Sequence, residues 1–407
     1  MTATAWSWTD LEARVADYRF DGVHGPTNAH SRLRLFGCSP DQVRVTLYRD
    51  HHAWCPYCQK VWLWLEERRI PYRVRKVTMF CYGEKEPWYT DRVPSGMLPA
   101  LELDGRIITE SDAILSALEQ AFGPLGPLPL EAPAADAIRQ LERGLFRAWC
   151  RWLCHPHHDP ALEGRSRASF VALARDVEAR LADTPGPYLR EAFGALDVIF
   201  TPYIERMHAS LFYYKGFALK TEHPAIGAWL EALEERPAYR GTQGDFHTHV
   251  HDLPPQMGGC YSHNHEEVRH NQRRVDEGPW EGLPEVNHTE PATSRQEALN
   301  RVLKHRDVLL AVNPAPEDVM DAALRGALTR LVTGADVQPP AGGARGLRYL
   351  RDRISVPRDM SLYAARRLRE ALEHTAALAG GEPGPPLPTR HRRDQDPAPF
   401  RARRPSG

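Results

Sequence analysis

Cys55-Pro56-Tyr57-Cys58 are the residues of this sequence best suited to chemistry. A thiol attacks as its thiolate; free cysteine has a pKa of about 8.5, which a helix N-terminus in a Cys-x-x-Cys setting pulls well down. The flanking pattern predicts such a terminus. Val43-Arg-Val-Thr-Leu-Tyr48 alternates as a strand, and Val61-Trp-Leu-Trp-Leu65 reads as a helix that Pro71 ends. Pro56 suits the first helical position, where its missing N–H costs nothing. The partial positive charge of the helix start favours an anion at Cys55. Cys58, one turn on, is within reach to resolve a mixed disulfide. The competing readings are half of a zinc site and a pair of inert buried thiols. No second Cys-x-x-Cys or finger-spaced His pair follows, as a closed zinc site would need. An exposed strand-to-helix turn is also a poor place to hide thiols.

The elements around the motif continue in a recognisable order. Tyr72-Arg-Val-Arg-Lys-Val77 alternates again, and Pro99–Leu103 and Arg106–Thr109 flank an Asp104-Gly105 hairpin turn. Glu110-Ser111-Asp112 then opens an amphipathic helix carrying Ile114, Leu115 and Leu118. The order βαβ(α)ββα predicts an α/β thioredoxin-like domain over residues 43–124, preceded by an extension over 1–42. Residues 125–240 are expected to form an all-helical domain, with Asp197 bonding back to the backbone near Gly194. Residues 241–295, rich in His, Gly and Pro, are expected to be irregular. A helical accessory region is expected over 296–380, opened by a Ser294–Glu297 capping box. Residues 381–407, Pro- and Arg-rich, read as a disordered basic tail.

The segment resembles the glutathione transferase family. The strand–Cys-Pro-Tyr-Cys–helix unit, Pro94-Ser-Gly-Met-Leu98-Pro99, Ile108-Thr-Glu110-Ser111-Asp112 and Phe193-Gly-Ala-Leu-Asp197 occur in the family's order. The cysteine at the site is similar to the omega-like classes. Tyr48–Trp54, Met79–Lys85 and Arg348–Met360 look most like the iota class of photosynthetic organisms, which also carries an extra C-terminal region. The resemblance implies an all-α transferase domain after the thioredoxin-like one, glutathione as co-substrate, a homodimer, and Cys55 and Cys58 as the catalytic pair. It implies that Leu98, before a cis Pro99, clamps the cysteinyl backbone of glutathione like an added strand. Glu110 and Ser111 match the γ-glutamyl site, and Lys85 the position meeting the glycyl carboxylate, with Lys76 as the alternative. The implied activity is glutathione-dependent thiol transfer or reduction: deglutathionylation, or reduction of dehydroascorbate or mixed disulfides. The alternatives are conjugation of glutathione to electrophiles, and a glutathione-ligated iron–sulfur or chromophore-binding protein. Omega-like members usually lack the second cysteine, so Cys58 leaves a dithiol route open.

The remaining constellations are weaker. His247-x-His249-x-His251, read as extended, suits a transition metal by residue type but is loosely spaced. Cys150-x-x-x-Cys154-His155, with His157 and His158, has i,i+4 geometry on a helix that in the family lines the second-substrate cleft. The 407 residues carry a net charge of −1, with 26% charged and 42% hydrophobic residues. Such a chain projects no field selecting nucleic acid or anionic membrane, and no apolar run is long enough to span a bilayer. Seven thinly spread cysteines do not read as a secreted disulfide scaffold. With no basic, apolar leader, a cytoplasmic location is expected, or the chloroplast if a transit peptide has been removed.

Overall fold

The computed structural model describes residues 3–156 and 159–379. His157, His158 and the basic tail lie outside the described residues. The chain divides into two units, one taking in residues 21–272 and 284–288, the other 3–20, 273–283 and 289–379. Among the described residues no helix is long and apolar enough to cross a membrane.

The first unit is built on a five-stranded sheet in the order β1-β3-β2-β4-β5: β1 Leu33–Arg34, β2 Val45–Asp50, β3 Tyr72–Val77, β4 Ala100–Leu103 and β5 Arg106–Thr109. β2 runs parallel to β3, with Val45 opposite Tyr72, and antiparallel to β4, with Val45 opposite Leu103. The crossover from β2 to β3 is helix α1, Pro56–Glu67, as a parallel pair requires. Asp104 and Gly105 both take positive φ, 50° and 80°, the backbone a two-residue hairpin turn demands. β1, inside the expected N-terminal extension, instead forms the sheet edge. Arg34 on β1 is buried against Glu66 of α1, with Nε–Oε1 at 2.8 Å, which ties that edge to the helix.

Helices follow: α2 Ser111–Phe122, α3 Pro133–Leu153, α4 Pro160–Ala182, α5 Ala195–Lys215 and α6 Pro224–Glu234. α5 is buried on every face except at Phe212, and it packs on α1, α3 and a further helix, α7, Phe246–Met257. A helix buried all round is a core element rather than a surface one, so its polar side chains must find partners inside. Asp197 does so at its start, and His208 midway donates through Nε2 to the Pro284 carbonyl at 3.0 Å. The other ring nitrogen of His208, Nδ1, is buried with no partner, and burial drives its pKa down from 6.5 to about 3. Below pH ~6.5 the unfolded chain takes up a proton there that the folded chain refuses. The stability contributed by neutral His208 is therefore full above that pH and falls by about 1.4 kcal/mol per unit as pH drops toward 3. His208→Gln keeps a donor for Pro284 and removes this dependence. The loss of stability between pH 6.5 and 5, measured by denaturant titration, is expected to shrink by about 2 kcal/mol.

Residues 241–295 are irregular only in part, over 258–265 and 277–293. They contain α7 and the helix Glu266–Asp276. Asp245 caps α7 by accepting from the Thr248 N–H at 2.8 Å, a signal masked in the sequence by the surrounding His and by Pro254 and Pro255 in the last turn. His247, His249 and His251 therefore stand on a helix and not on an extended strand.

In the second unit, α8 Ser294–Ala311, α9 Glu317–Thr333, α10 Gly343–Arg351 and α11 Leu362–Leu378 pack around Leu299, Met320, Leu324, Leu347, Leu368 and Leu372. Residues 3–20 belong here. The Trp6 N–H donates to Thr329 Oγ1 at 2.9 Å and the Trp8 indole to Asp321 Oδ1 at 2.7 Å. The expected capping box is absent. Ser294 is already helical, and Glu297 instead accepts from the Ser361 N–H and hydroxyl, at 2.7 and 2.6 Å, at the start of α11. A buried carboxylate reaching an unpaired helix start elsewhere outcompetes the local box. Arg348–Met360 is a structural tie: Arg348 pairs with Glu373 at 2.8 Å and Arg369 donates to the Ile354 carbonyl at 2.7 Å.

Candidate active site

β2 delivers the chain to the site. Asp50, its last residue, is fully buried, and its Oδ2 accepts from the Trp54 N–H at 2.7 Å. From the other side, Arg206 of α5 donates to the Trp54 carbonyl at 2.8 Å. The backbone entering Cys55 is thus held from both directions. Cys55 sits at the N-cap of α1 with extended backbone, and Pro56 is the first helical residue. Cys55 is buried but reaches a cavity of about 480 Å³. Cys58 lies beneath it, 1% exposed. Burial, followed by the hydrogen bond to Cys55, pushes the Cys58 thiol well above its ordinary range. Burial therefore favours the protonated form of Cys58 beneath Cys55.

The cavity brings together Cys55, Lys85 and Leu98, and its far wall is Phe146, Trp149 and Tyr203. Lys85 donates from Nζ to the Thr78 carbonyl at 2.7 Å, and burial holds its pKa below the usual lysine value. The Leu98–Pro99 bond is cis. Pro99, Glu110 and Ser111 do not line the cavity, but the sheet register brings them side by side: Ala100 lies opposite Thr109, so Pro99 and Glu110 flank the same end of β4 and β5. Glu110 has φ 65° and makes no side-chain cap to α2. A non-glycine residue in that region is a strained one of the kind that clusters at binding sites. Ser111 is buried at the first position of α2.

Sequence reasoning missed the buried polar frame behind the cysteines. Asp50, Cys55 and Cys58 offer ligand-type atoms within 4.8 Å of one another, and Asp50 Oδ1 has no partner. Its signal was an acidic residue ending an otherwise buried strand. Gln59 on α1 donates to Glu205 at 3.1 Å and accepts from Arg206 at 2.8 Å. Glu205 in turn takes the Gly244 N–H at 2.8 Å and pairs with His249 at 2.5 Å. His249 is committed to that carboxylate. The His247 and His251 rings meet edge to face, centroids 4.8 Å apart.

Residues 54–121 match the family model "Glutathione S-transferase, N-terminal domain", and residues 159–232 match "Glutathione S-transferase, C-terminal domain". The chain carries both glutathione S-transferase domains. The transferase part is similar to glutathione S-transferase DHAR2 of Arabidopsis thaliana, 27% identical over 46% of this chain and 84% of that protein. It is similar also to the chloroplastic glutathione S-transferase DHAR3 of the same plant, 24% identical over 50% and 75%. Among solved structures, glutathione transferase Omega 3C from Trametes versicolor is 27% identical, with a TM-score of 0.42 over 49% of this chain and 89% of that one. In these transferase domains, Cys55, Pro99, Glu110 and Ser111 fall within the matched N-terminal domain.

Proposed function

We propose that the chain is a glutathione-dependent thiol transferase and reductase of the cysteine type, with Cys55 as nucleophile. The observation that carries this is the arrangement at the motif: Cys55 at a helix N-cap opening into a cavity, and Cys58 sealed beneath it, 1% exposed, with its thiol pushed up by burial. The Leu98 backbone would clamp the cysteinyl residue of glutathione, Glu110 and Ser111 would take the γ-glutamyl end, and Lys85 the glycyl carboxylate. The Cys55 thiolate attacks the glutathionyl sulfur of a mixed disulfide, forming a Cys55–glutathione disulfide and expelling the substrate as thiolate, which takes a proton from water. A second glutathione thiolate then attacks that disulfide, leaving as glutathione disulfide and restoring Cys55. Alternatively Cys58 closes on Cys55 and expels glutathione, with the adjacent Asp50 carboxylate placed to receive its proton.

The reading extends to the omega-like classes, the iota class in particular, on the motifs at 48–54, 79–85 and 348–360, and to a homodimer in a reducing compartment, cytoplasm or chloroplast. Dehydroascorbate and glutathionylated small molecules are the substrates to try. Conjugation to electrophiles is favoured only by the apolar far wall, and a thiolate at Cys55 competes with glutathione for the electrophile. The test uses the Cys58→Ser chain with glutathione disulfide, mapped by mass spectrometry, beside a halonitroaromatic conjugation assay. One glutathione on Cys55 and exchange exceeding conjugation are expected. An unmodified Cys55, or conjugation as the dominant activity, refutes the reading.

A further inference from the structure

A second pair of cysteines, 106 positions apart in sequence, comes together where Cys154 lines the same cavity and the turn carrying Cys260 is fastened behind it. Cys154 caps the C-terminus of α3, its N–H donating to the Cys150 carbonyl at 2.8 Å, and it lines the cavity. Cys260 arrives from α7 through Gly258 and Gly259, whose φ values of 86° and 147° turn the chain back as only glycine does readily. The Tyr261 N–H then donates to the Leu153 carbonyl at 2.9 Å, and the His263 N–H to the Tyr214 carbonyl at 2.9 Å. The peptide units that carry the two cysteines are therefore hydrogen-bonded to each other, and the segment is fastened to the ends of α3 and α5.

The two thiols act on each other: their interaction lowers the Cys154 thiol and raises that of Cys260 well above its ordinary range. Lys215, at the last turn of α5, has a side chain 1% exposed, and its charge favours the thiolate form of both cysteines, although burial holds its own pKa below the usual lysine value. Its Nζ is 3.3 Å from Glu163 Oε1, and Glu163 also accepts from the Trp152 indole at 2.5 Å and pairs with His263. A buried ammonium next to a thiol that accepts a hydrogen bond is an environment that stabilises a thiolate. None of these groups has a part in the chemistry at Cys55.

We infer that Cys154 and Cys260 form a second redox-active dithiol, oxidised to a disulfide by glutathione disulfide, with Cys154 as the attacking thiolate and Cys260 as the resolving thiol. The Cys154 thiolate attacks one sulfur of glutathione disulfide, forming a Cys154–glutathione bond and releasing one glutathione thiolate. Cys260, its proton passing to that thiolate, then attacks the Cys154 sulfur and expels the second glutathione. Two protein sulfurs are oxidised and one glutathione disulfide becomes two glutathiones. The closed disulfide would pin the 258–262 turn to the end of α3, beside Gln256 and Met257 of the cavity wall. The pair would thus report the glutathione redox state to the space where a second substrate sits.

The test is run on the full chain, both as wild type and with Cys55→Ser and Cys58→Ser combined, so that it does not depend on the proposed activity. Protein incubated with glutathione disulfide is alkylated, digested without reduction and mapped by mass spectrometry. A Cys154–Cys260 linked peptide is expected in both forms, disappearing with dithiothreitol, and Cys260→Ala is expected to accumulate glutathione on Cys154. Full alkylation of both residues, a bridge from Cys154 to Cys150, or glutathione on Cys260 instead of Cys154 overturns the inference. In wild type, a glutathione-reactive Cys55 beside an alkylated Cys154 and Cys260 removes this inference and leaves the proposed function standing. The converse pattern removes the function and leaves the dithiol.

Discussion

Cys55→Ser is expected to abolish glutathione-dependent thiol exchange, lowering the rate by about 1,000-fold or more, equivalent to about 4 kcal/mol of barrier. Cys58→Ser is expected to keep the rate within about ten-fold of wild type. The asymmetry follows from where each sulfur sits. Cys55 holds the N-cap of α1, makes no cap hydrogen bond of its own and faces the cavity. A serine hydroxyl there cannot ionise in the working range or leave as a stable anion, so neither half of the exchange proceeds. Cys58 is sealed below, its thiol pushed up by burial; a serine hydroxyl can make the same hydrogen bond. Steady-state exchange with a glutathionylated substrate measures both. Wild-type activity in Cys55→Ser, or equal losses in the two variants, would show that the sulfurs do not divide the work in this way.

The largest stability effect is expected at Asp197. Its carboxylate is fully buried and accepts from the Leu189 N–H at 3.0 Å, the Gly194 N–H at 2.9 Å and the Trp229 indole at 2.8 Å. Burial nonetheless pushes its pKa up to about 6. Asp197→Ala strands three buried donors; at about 1–3 kcal/mol for each unsatisfied group, a loss of about 3–5 kcal/mol is expected after relaxation. Asp197→Asn is also expected to cost about 2 kcal/mol or more, because its amide nitrogen would face a donor where one carboxylate oxygen accepts. Denaturant midpoints for the two variants check this, and a loss below about 1 kcal/mol for the alanine variant would mean that water replaces the carboxylate. Since Gly194 offers no side chain to cap α5, Asp197 supplies the cap and joins the helix start to Trp229.

The parts legible in the sequence were those written over a few consecutive residues. Alternation at 43–48 and 72–77, Pro56 after Cys55, and Asp104-Gly105 between two short runs each specify a local backbone, and together they order the thioredoxin-like domain. Harder to read were segments whose composition hides their period. Helix α7 carries an apolar stripe of Phe246, Val250, Leu253 and Met257, but three histidines and two prolines in twelve residues hide its period. Glu297 illustrates the other failure: the spacing of a capping box was present, but the carboxylate serves a helix start 64 residues away.

The amino-acid sequence by itself determined the strand–turn–helix that presents Cys55, the cis-prone Pro99 and the hairpin that carries Glu110 and Ser111, because turn and capping chemistry acts between neighbours. Only the tertiary structure decided that Cys58 is sealed beneath Cys55, that Arg206 and Asp50 grip the residue before Cys55, and that the turn carrying Cys260 is fastened to the end of α3 beside Cys154. Those outcomes depend on which charges and thiols are buried together. Burial is a property of how α1, α3, α5 and α7 pack, and no local spacing encodes it.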